Sequence, residues 1–210
     1  MNRIPVSQID MPFSKAFLRI VMFHFPHGGR LWDPTWGTAR AWADYLRLRD
    51  RPGLGTSQIP PLDIVHGDIK DGQDFREACY KNEFDGCFFD PPYIWSGKNS
   101  LDRRADDYGG YESPKEELQE LVRKGFIVIH RALKPQGKLL FKYTDVFDLS
   151  RRKFNLGSEV WNIPPKGFQA IDHFIIRHRN LNPLAWAVKN RPCSVNNYSY
   201  LTILERKESP

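Results

Sequence analysis

Cysteine is scarce in this sequence, with Cys79, Cys87 and Cys193 the three present in 210 residues. An odd count without a Cys-x-x-Cys spacing excludes a disulfide framework and a structural zinc centre, so all three read as reduced core residues. Long apolar runs are missing too. The longest, Phe17 to Phe25, spans nine residues and carries Arg19 and His24, too short and too polar to cross a bilayer. The amino-terminal Met1-Asn2-Arg3-Ile4-Pro5 has neither an apolar h-region nor a small-residue cleavage site, so a cytoplasmic protein without a membrane partner is expected. Internal repeats and low-complexity tracts are absent, and the 15 Gly and 16 Pro are dispersed as turn punctuation. The histidines His24, His27, His66, His130, His173 and His178 lack paired metal-ligand spacing, and no metal is expected.

What is present suits a folded domain. Hydrophobic residues make up 40% and aromatics 13% of the chain, enough to bury a core, and residues 1–210 read as one domain. Lys and Arg outnumber Asp and Glu by 31 to 25, giving a net charge of +6 and a pI near 9.2. That excess favours approach to a polyanion.

Periodicity supplies the organisation. Leu31-Trp32 followed by Asp33-Pro34, Gly37 and an Ala/Trp/Leu-rich run to Leu48 predicts a strand, a tight turn and a helix. Leu62 to Val65 predicts a strand ending at Gly67-Asp68, and Phe75 to Lys81 a short helix. The nearly continuous apolar run Phe84 to Phe89 predicts a strand buried on both faces of a parallel sheet. Ser113-Pro114 carries N-cap and N1 signals for a helix running to Leu133, with one apolar stripe formed by Leu118, Leu121, Val122, Phe126, Ile129 and Leu133. Pro135-Gln136-Gly137 predicts a turn into a strand over Lys138 to Thr144, and Phe168 to Ile176 and Tyr198 to Leu204 predict two final strands. Alternating strands and helices closed by a strand pair indicate an α/β fold, its mostly parallel sheet covered on both faces and its last two strands antiparallel.

The chemistry concentrates where the buried strand stops, at Asp90-Pro91-Pro92-Tyr93. In an open α/β sheet, ligands bind outside the carboxyl ends of strands. Two prolines stiffen the turn and remove two donors, leaving carbonyl oxygens as acceptors. The exocyclic amine of a nucleobase is a poor nucleophile because its lone pair is delocalised into the ring. The Asp90 carboxylate and the Pro91 carbonyl, each accepting one N–H, would draw that nitrogen towards a tetrahedral form, while Tyr93 stacks on the base. Such stacking is worth about 1–3 kcal/mol.

These residues resemble the class I S-adenosylmethionine-dependent methyltransferases, and within them the amino-methyltransferases that modify adenine N6 or cytosine N4 in DNA. Asp90-Pro91-Pro92-Tyr93 matches their catalytic motif. Leu31-Trp32-Asp33-Pro34-Thr35-Trp36-Gly37-Thr38-Ala39 is similar to their glycine loop, with Ala39 where a second glycine is usual. Val65-His66-Gly67-Asp68 is similar to the strand end that meets the cofactor's adenine, and Asp50 is the candidate for the ribose-holding acid. The likeness covers roughly residues 28–145; Ser96-Gly97-Lys98 to Tyr108-Gly109 and Val195 to Tyr200 resemble features of small phage- or archaea-type DNA methylases.

The resemblance implies a Rossmann-like fold with S-adenosyl-L-methionine as cofactor, bound by Asp33, Pro34, Thr35, Gly37, Asp50 and Asp68 in a half spanning about 28–90. Substrate loops would span about 94–113, 151–167 and 179–197. Basic side chains there, Lys98, Arg103, Arg104, Arg151, Arg152, Arg179, Lys189 and Arg191, are the candidates for phosphate contacts. The expected reaction is methyl transfer to an extruded base in DNA, adenine N6 before cytosine N4, as in restriction-modification. The alternatives are a tRNA or rRNA amino-methyltransferase and a catalytically silent nucleic-acid-binding scaffold of the same fold.

Overall fold

The computed structural model describes residues 6–51, 59–91, 114–144, 146–147, 153–154, 166–177 and 198–207. Seven strands among them share one sheet. In chain order the strands are β1 (Val6–Asp10), β2 (Gly29–Asp33), β3 (Leu62–His66), β4 (Phe84–Phe89), β5 (Leu133–Tyr143), β8 (Phe168–Arg177) and β9 (Tyr198–Arg206). Their order across the sheet is β1-β8-β9-β5-β4-β2-β3, and β9 alone runs against the rest. Two-residue strands β6 (Val146–Phe147) and β7 (Lys153–Phe154) pair separately. The chain therefore steps from β2 outward to β3 and then crosses back to β4 on the other side of β2. That reversal opens a crevice between the carboxyl ends of β2 and β4, the place where doubly wound sheets bind ligands.

Helices cover both faces. On one face α1 (Phe13–His24) and the 3-10 turn Arg40–Trp42 that leads into α2 (Ala43–Arg49) pack Phe17 and Trp42 against Phe88 of β4, with ring centroids 4.4 Å apart for Phe17 and Phe88 and 4.9 Å for Phe17 and Trp42. On the other, α3 (Pro114–Ala132) lays Leu118, Val122, Phe126 and Ile129 over Phe89, Phe141 and Leu204. This is the stripe that the 3.6-residue spacing predicts. Burying each such aromatic or aliphatic side chain contributes about 1.5–3 kcal/mol. Among the described residues, no helix is long and apolar enough to cross a membrane.

Three sequence expectations are corrected, and one stretch without an expectation gains structure. Residues 75–81 form only a 3-10 turn over Phe75–Glu77, because Asp74 accepts from the Arg76 amide and Ala78 is extended. Beyond it, Tyr80 is drawn edge-on against Trp32 and Phe84. The Pro135-Gln136-Gly137 segment lies inside β5, where the β4 pairing shifts register between Phe84 and Gly86 and Gln136 takes a φ of 62°. The turn residues thus make an irregularity within a strand rather than its start. Cys87 is buried but Cys79 is exposed, so the latter is no core residue. Finally, β1 and α1 carry structure that the sequence reading left unassigned, although Ala16, Phe17, Ile20, Val21 and His24, all buried, recur at helical spacing.

Candidate functional site

The site is built on two strand ends. At the end of β2, Asp33 is 1% exposed and turns back on its own chain. Its Oδ1 accepts from the Thr35 amide (2.9 Å) and the Thr35 hydroxyl (3.2 Å), and its Oδ2 from Trp42 Nε1 (2.7 Å). This closed Asx-type turn fixes the path of Pro34 to Gly37. Gly37 follows at a φ of 52°, the left-handed conformation that glycine adopts without penalty. Ala39, two residues on, holds a φ of 56° and ψ of 20°. A left-handed alanine costs about 1–2 kcal/mol, which explains why a glycine suits that position.

The turn is tied to the end of β3 by three further hydrogen bonds. The Gly67 amide donates to the Asp33 carbonyl (3.0 Å), the Trp36 amide to the Gly67 carbonyl (3.1 Å), and the Gly37 amide to Asp68 Oδ2 (2.6 Å). Above them the Trp36 indole stacks on His66, with centroids 4.3 Å apart and planes 18° from parallel.

Asp90 and the buried Pro91 follow β4 directly across the crevice. The Asp90 amide donates to Thr35 Oγ1 (2.9 Å), so one hydroxyl bridges the Asp33 carboxylate and the backbone of Asp90. The Asp90 carboxylate itself pairs with the ammonium of Lys142, on β5. These side chains remain 25% and 20% exposed, respectively, so the pair is reachable from the edge. Lys142 Nζ also lies 4.8 Å from the centroid of the Phe13 ring, at the start of α1.

Electrostatics differ sharply along this row. Burial pushes the Asp33 carboxyl up to about 7, and the nearby Asp90 charge adds to the rise against the hydrogen bonds from Trp42 and Thr35 that favour the ion. Burial also raises the Cys87 thiol well above its ordinary range, with Asp33 contributing. That thiol is inert.

The structure thus brings together Asp33, Pro34, Thr35, Gly37, Asp68, Asp90 and Pro91 from the sequence-derived set. Asp50 stands apart. It ends α2, exposed and paired with Arg49 (2.7 Å), seven residues down a helix that starts beside Asp33 through Trp42. At 1.5 Å per residue that places it about 10 Å from the sheet's carboxyl edge. Pro92, Tyr93, Lys98, Arg103, Arg104, Arg151, Arg152, Arg179, Lys189 and Arg191 lie outside the described residues. Among the described residues, no group of three His, Cys, Asp or Glu could hold a metal ion.

Lys142 has no role in the sequence reading, and Trp42 reads there as a core or rim aromatic, which its complete burial bears out, but not as a partner of Asp33. Lys142 had a signal, a cation set between Phe141 and Tyr143, both almost fully buried. Trp42 had none beyond being aromatic.

Neither a family model nor a characterised protein matches the sequence. Solved structures show distant likenesses. A 1,6-didemethyltoxoflavin-N1-methyltransferase from Burkholderia thailandensis, with bound 1,6-didemethyltoxoflavin and S-adenosylhomocysteine, is 13% identical over 93% of this chain and 78% of its own, at a TM-score of 0.48. TrmN from Thermus thermophilus is 15% identical over 92% of this chain and 48% of its own, at 0.49. A candidate DNA modification methylase, also from Thermus thermophilus and complexed with S-adenosyl-L-methionine, is 18% identical over 65% of this chain and 52% of its own, at 0.42.

Proposed function

We propose that this protein is an S-adenosyl-L-methionine-dependent methyltransferase acting on an exocyclic amine of a nucleobase in DNA, adenine N6 in the first place and cytosine N4 in the second. The observation that carries the reading is the meeting of the Asp33 to Gly37 turn with Asp90 at the crevice between β2 and β4, joined through Thr35 Oγ1 at 2.9 Å. A rigid acceptor thus stands beside a glycine turn at the point of the sheet where a nucleotide-like ligand binds.

The residues present suit such a cofactor. S-adenosyl-L-methionine is a sulfonium cation, and the carboxylates of Asp68 and Asp90 flank the turn. The exposed Gly37 gives close access to the backbone, and the Trp36 and His66 pair offers a flat surface for a purine. Pro34, Thr35, Gly37 and Asp68 would hold the group, with Asp33 acting from beneath by bracing the turn. When bound, it supplies an electrophilic methyl carbon.

The protein's own contribution is positional. Asp90 and the Pro91 carbonyl accept the two N–H groups of the target amine, which localises the nitrogen lone pair and aims it. A fixed carboxylate and carbonyl dipole also stabilise the positive charge that develops on that nitrogen, so no strong base is required. Tyr93 is assigned to stacking on the extruded base, which offsets an unstacking cost of a few kcal/mol. The basic side chains from Lys98 to Arg191 named above are assigned to the phosphate backbone. Incubation with labelled cofactor and either DNA or RNA, then digestion and mass spectrometry of the nucleosides, tests the reading. N6-methyldeoxyadenosine is expected. Methylation confined to RNA would move the substrate to that polymer, and no transfer to either together with no calorimetric cofactor binding would make the chain a scaffold.

A further inference from the structure

The ion pair between Asp90 and Lys142 asks what a cation is doing at the acceptor carboxylate. Lys142 belongs to the α1-facing side of β5, as does Lys138 four residues earlier. Lys138 has a structural task at the far end of α1, donating to the carbonyl of His24 (3.0 Å) beside the Phe25 ring. Lys142 stands at the open end, and its partner is the residue that follows β4 at the crevice. Holding an ammonium against an aromatic ring and between buried strands carries a desolvation cost that an apolar residue would avoid. A bare structural pair is a poor reason to incur it.

Resting on the function proposed above, we propose that Asp90 and Lys142 together read the base. A carboxylate oxygen next to an ammonium is an acceptor beside a donor. Its complement is a donor beside an acceptor: an exocyclic NH2 next to an unprotonated ring nitrogen. On the Watson–Crick edge that extrusion exposes, adenine presents this pattern at N6 and N1, and cytosine at N4 and N3. The amine donates to Asp90, and an N–H of Lys142, which has three, donates to the ring nitrogen. Guanine O6 and N1–H, or thymine O4 and N3–H, present the reverse order. They would set a carbonyl oxygen against the Asp90 carboxylate. Selection of the two bases whose Watson–Crick edge sets an amine beside an unprotonated ring nitrogen thus resides in one pair of side chains contributed by neighbouring strands.

The test compares single-stranded DNA containing deoxyadenosine with the same DNA containing 1-deaza-2′-deoxyadenosine, in which C–H replaces the ring nitrogen. Wild-type protein should transfer methyl to the analogue with kcat/KM lowered about tenfold to hundredfold, the range expected for one specific base contact. Lys142→Met should lose a similar factor on ordinary DNA and show no further loss on the analogue, whereas Lys142→Arg, which retains a donor, should stay sensitive to it. Equal wild-type rates on the two DNAs would overturn the proposal without recourse to any variant, as would an undiminished analogue penalty in Lys142→Met. Absence of wild-type transfer to deoxyadenosine and deoxycytidine alike would be a different failure, overturning the proposed function itself; transfer to deoxycytidine alone moves the same comparison to 3-deaza-2′-deoxycytidine.

Discussion

Asp33 binds protons more tightly in the folded protein than in the unfolded chain, because burial raises its carboxyl from 3.8 to about 7. Between those values the native state holds the extra proton. Stability should therefore fall as pH rises from about 4 to about 7 and level off above that, a loss on the order of a few kcal/mol. Urea midpoints at pH 5 and pH 8 measure it, and Asp33→Asn, which does not titrate, should narrow the difference between them. Asp90 has another role, so Asp90→Ala should abolish methyl transfer while calorimetric binding of the cofactor persists; normal turnover would remove the clamp. Asp33 and Asp90 were both visible as residues in the sequence, each followed by proline at a strand end. Which of them is sealed under the turn, and which stays open at the edge, was not. That difference is set by Trp42 and Lys142, 9 and 52 residues away.

At the scale of elements, β4 transmits packing to the site because it ends at Asp90. Gly86, inside it, lets Phe25 approach the strand closely: a Cβ there would sit 2.5 Å from Phe25 Cζ and 2.8 Å from Cε1. Phe25 is itself 6% exposed and has little room to withdraw. Gly86→Ala should cost about 1–3 kcal/mol, seen as a lower denaturant midpoint with an unchanged m-value. The boundaries of β4 and nearly all of α3 were legible, since a continuous apolar run and a stripe of 3.6-residue period each have few readings. The failures lie where local signals compete with packing. Pro135 to Gly137 has turn chemistry yet is stretched into β5, and residues 75–81 have a helical pattern yet unwind where Tyr80 meets Trp32 and Phe84.

For the whole molecule, the decisive feature is β9. It is late in sequence but central in the sheet, hydrogen-bonded to β5 from Tyr200 to Glu205 and to β8 from Tyr198 to Arg206. Ending the chain at residue 197 should therefore abolish cooperative unfolding, because β8 and β1 lose their connection to the rest and β5 gains a bare apolar edge. Circular dichroism melts of the shortened and full chains measure this. A cooperative transition within a few degrees of the full chain would show that the sheet tolerates division at β9.

The sequence by itself determined the α/β class, the turn at Asp33 to Gly37, the buried strand before Asp90 and the α3 stripe. Each follows from burial period or backbone restriction within some twenty residues, where the chain has no distant partner to consult. Tertiary structure alone decided the neighbours: Thr35 under Asp90, Lys142 beside it, Asp50 left at the far end of α2 and β9 threaded antiparallel into the sheet. Strand order and register are fixed only when both faces of the whole sheet are covered, and a one-residue slip of β5 would turn Lys142 to the α3 side.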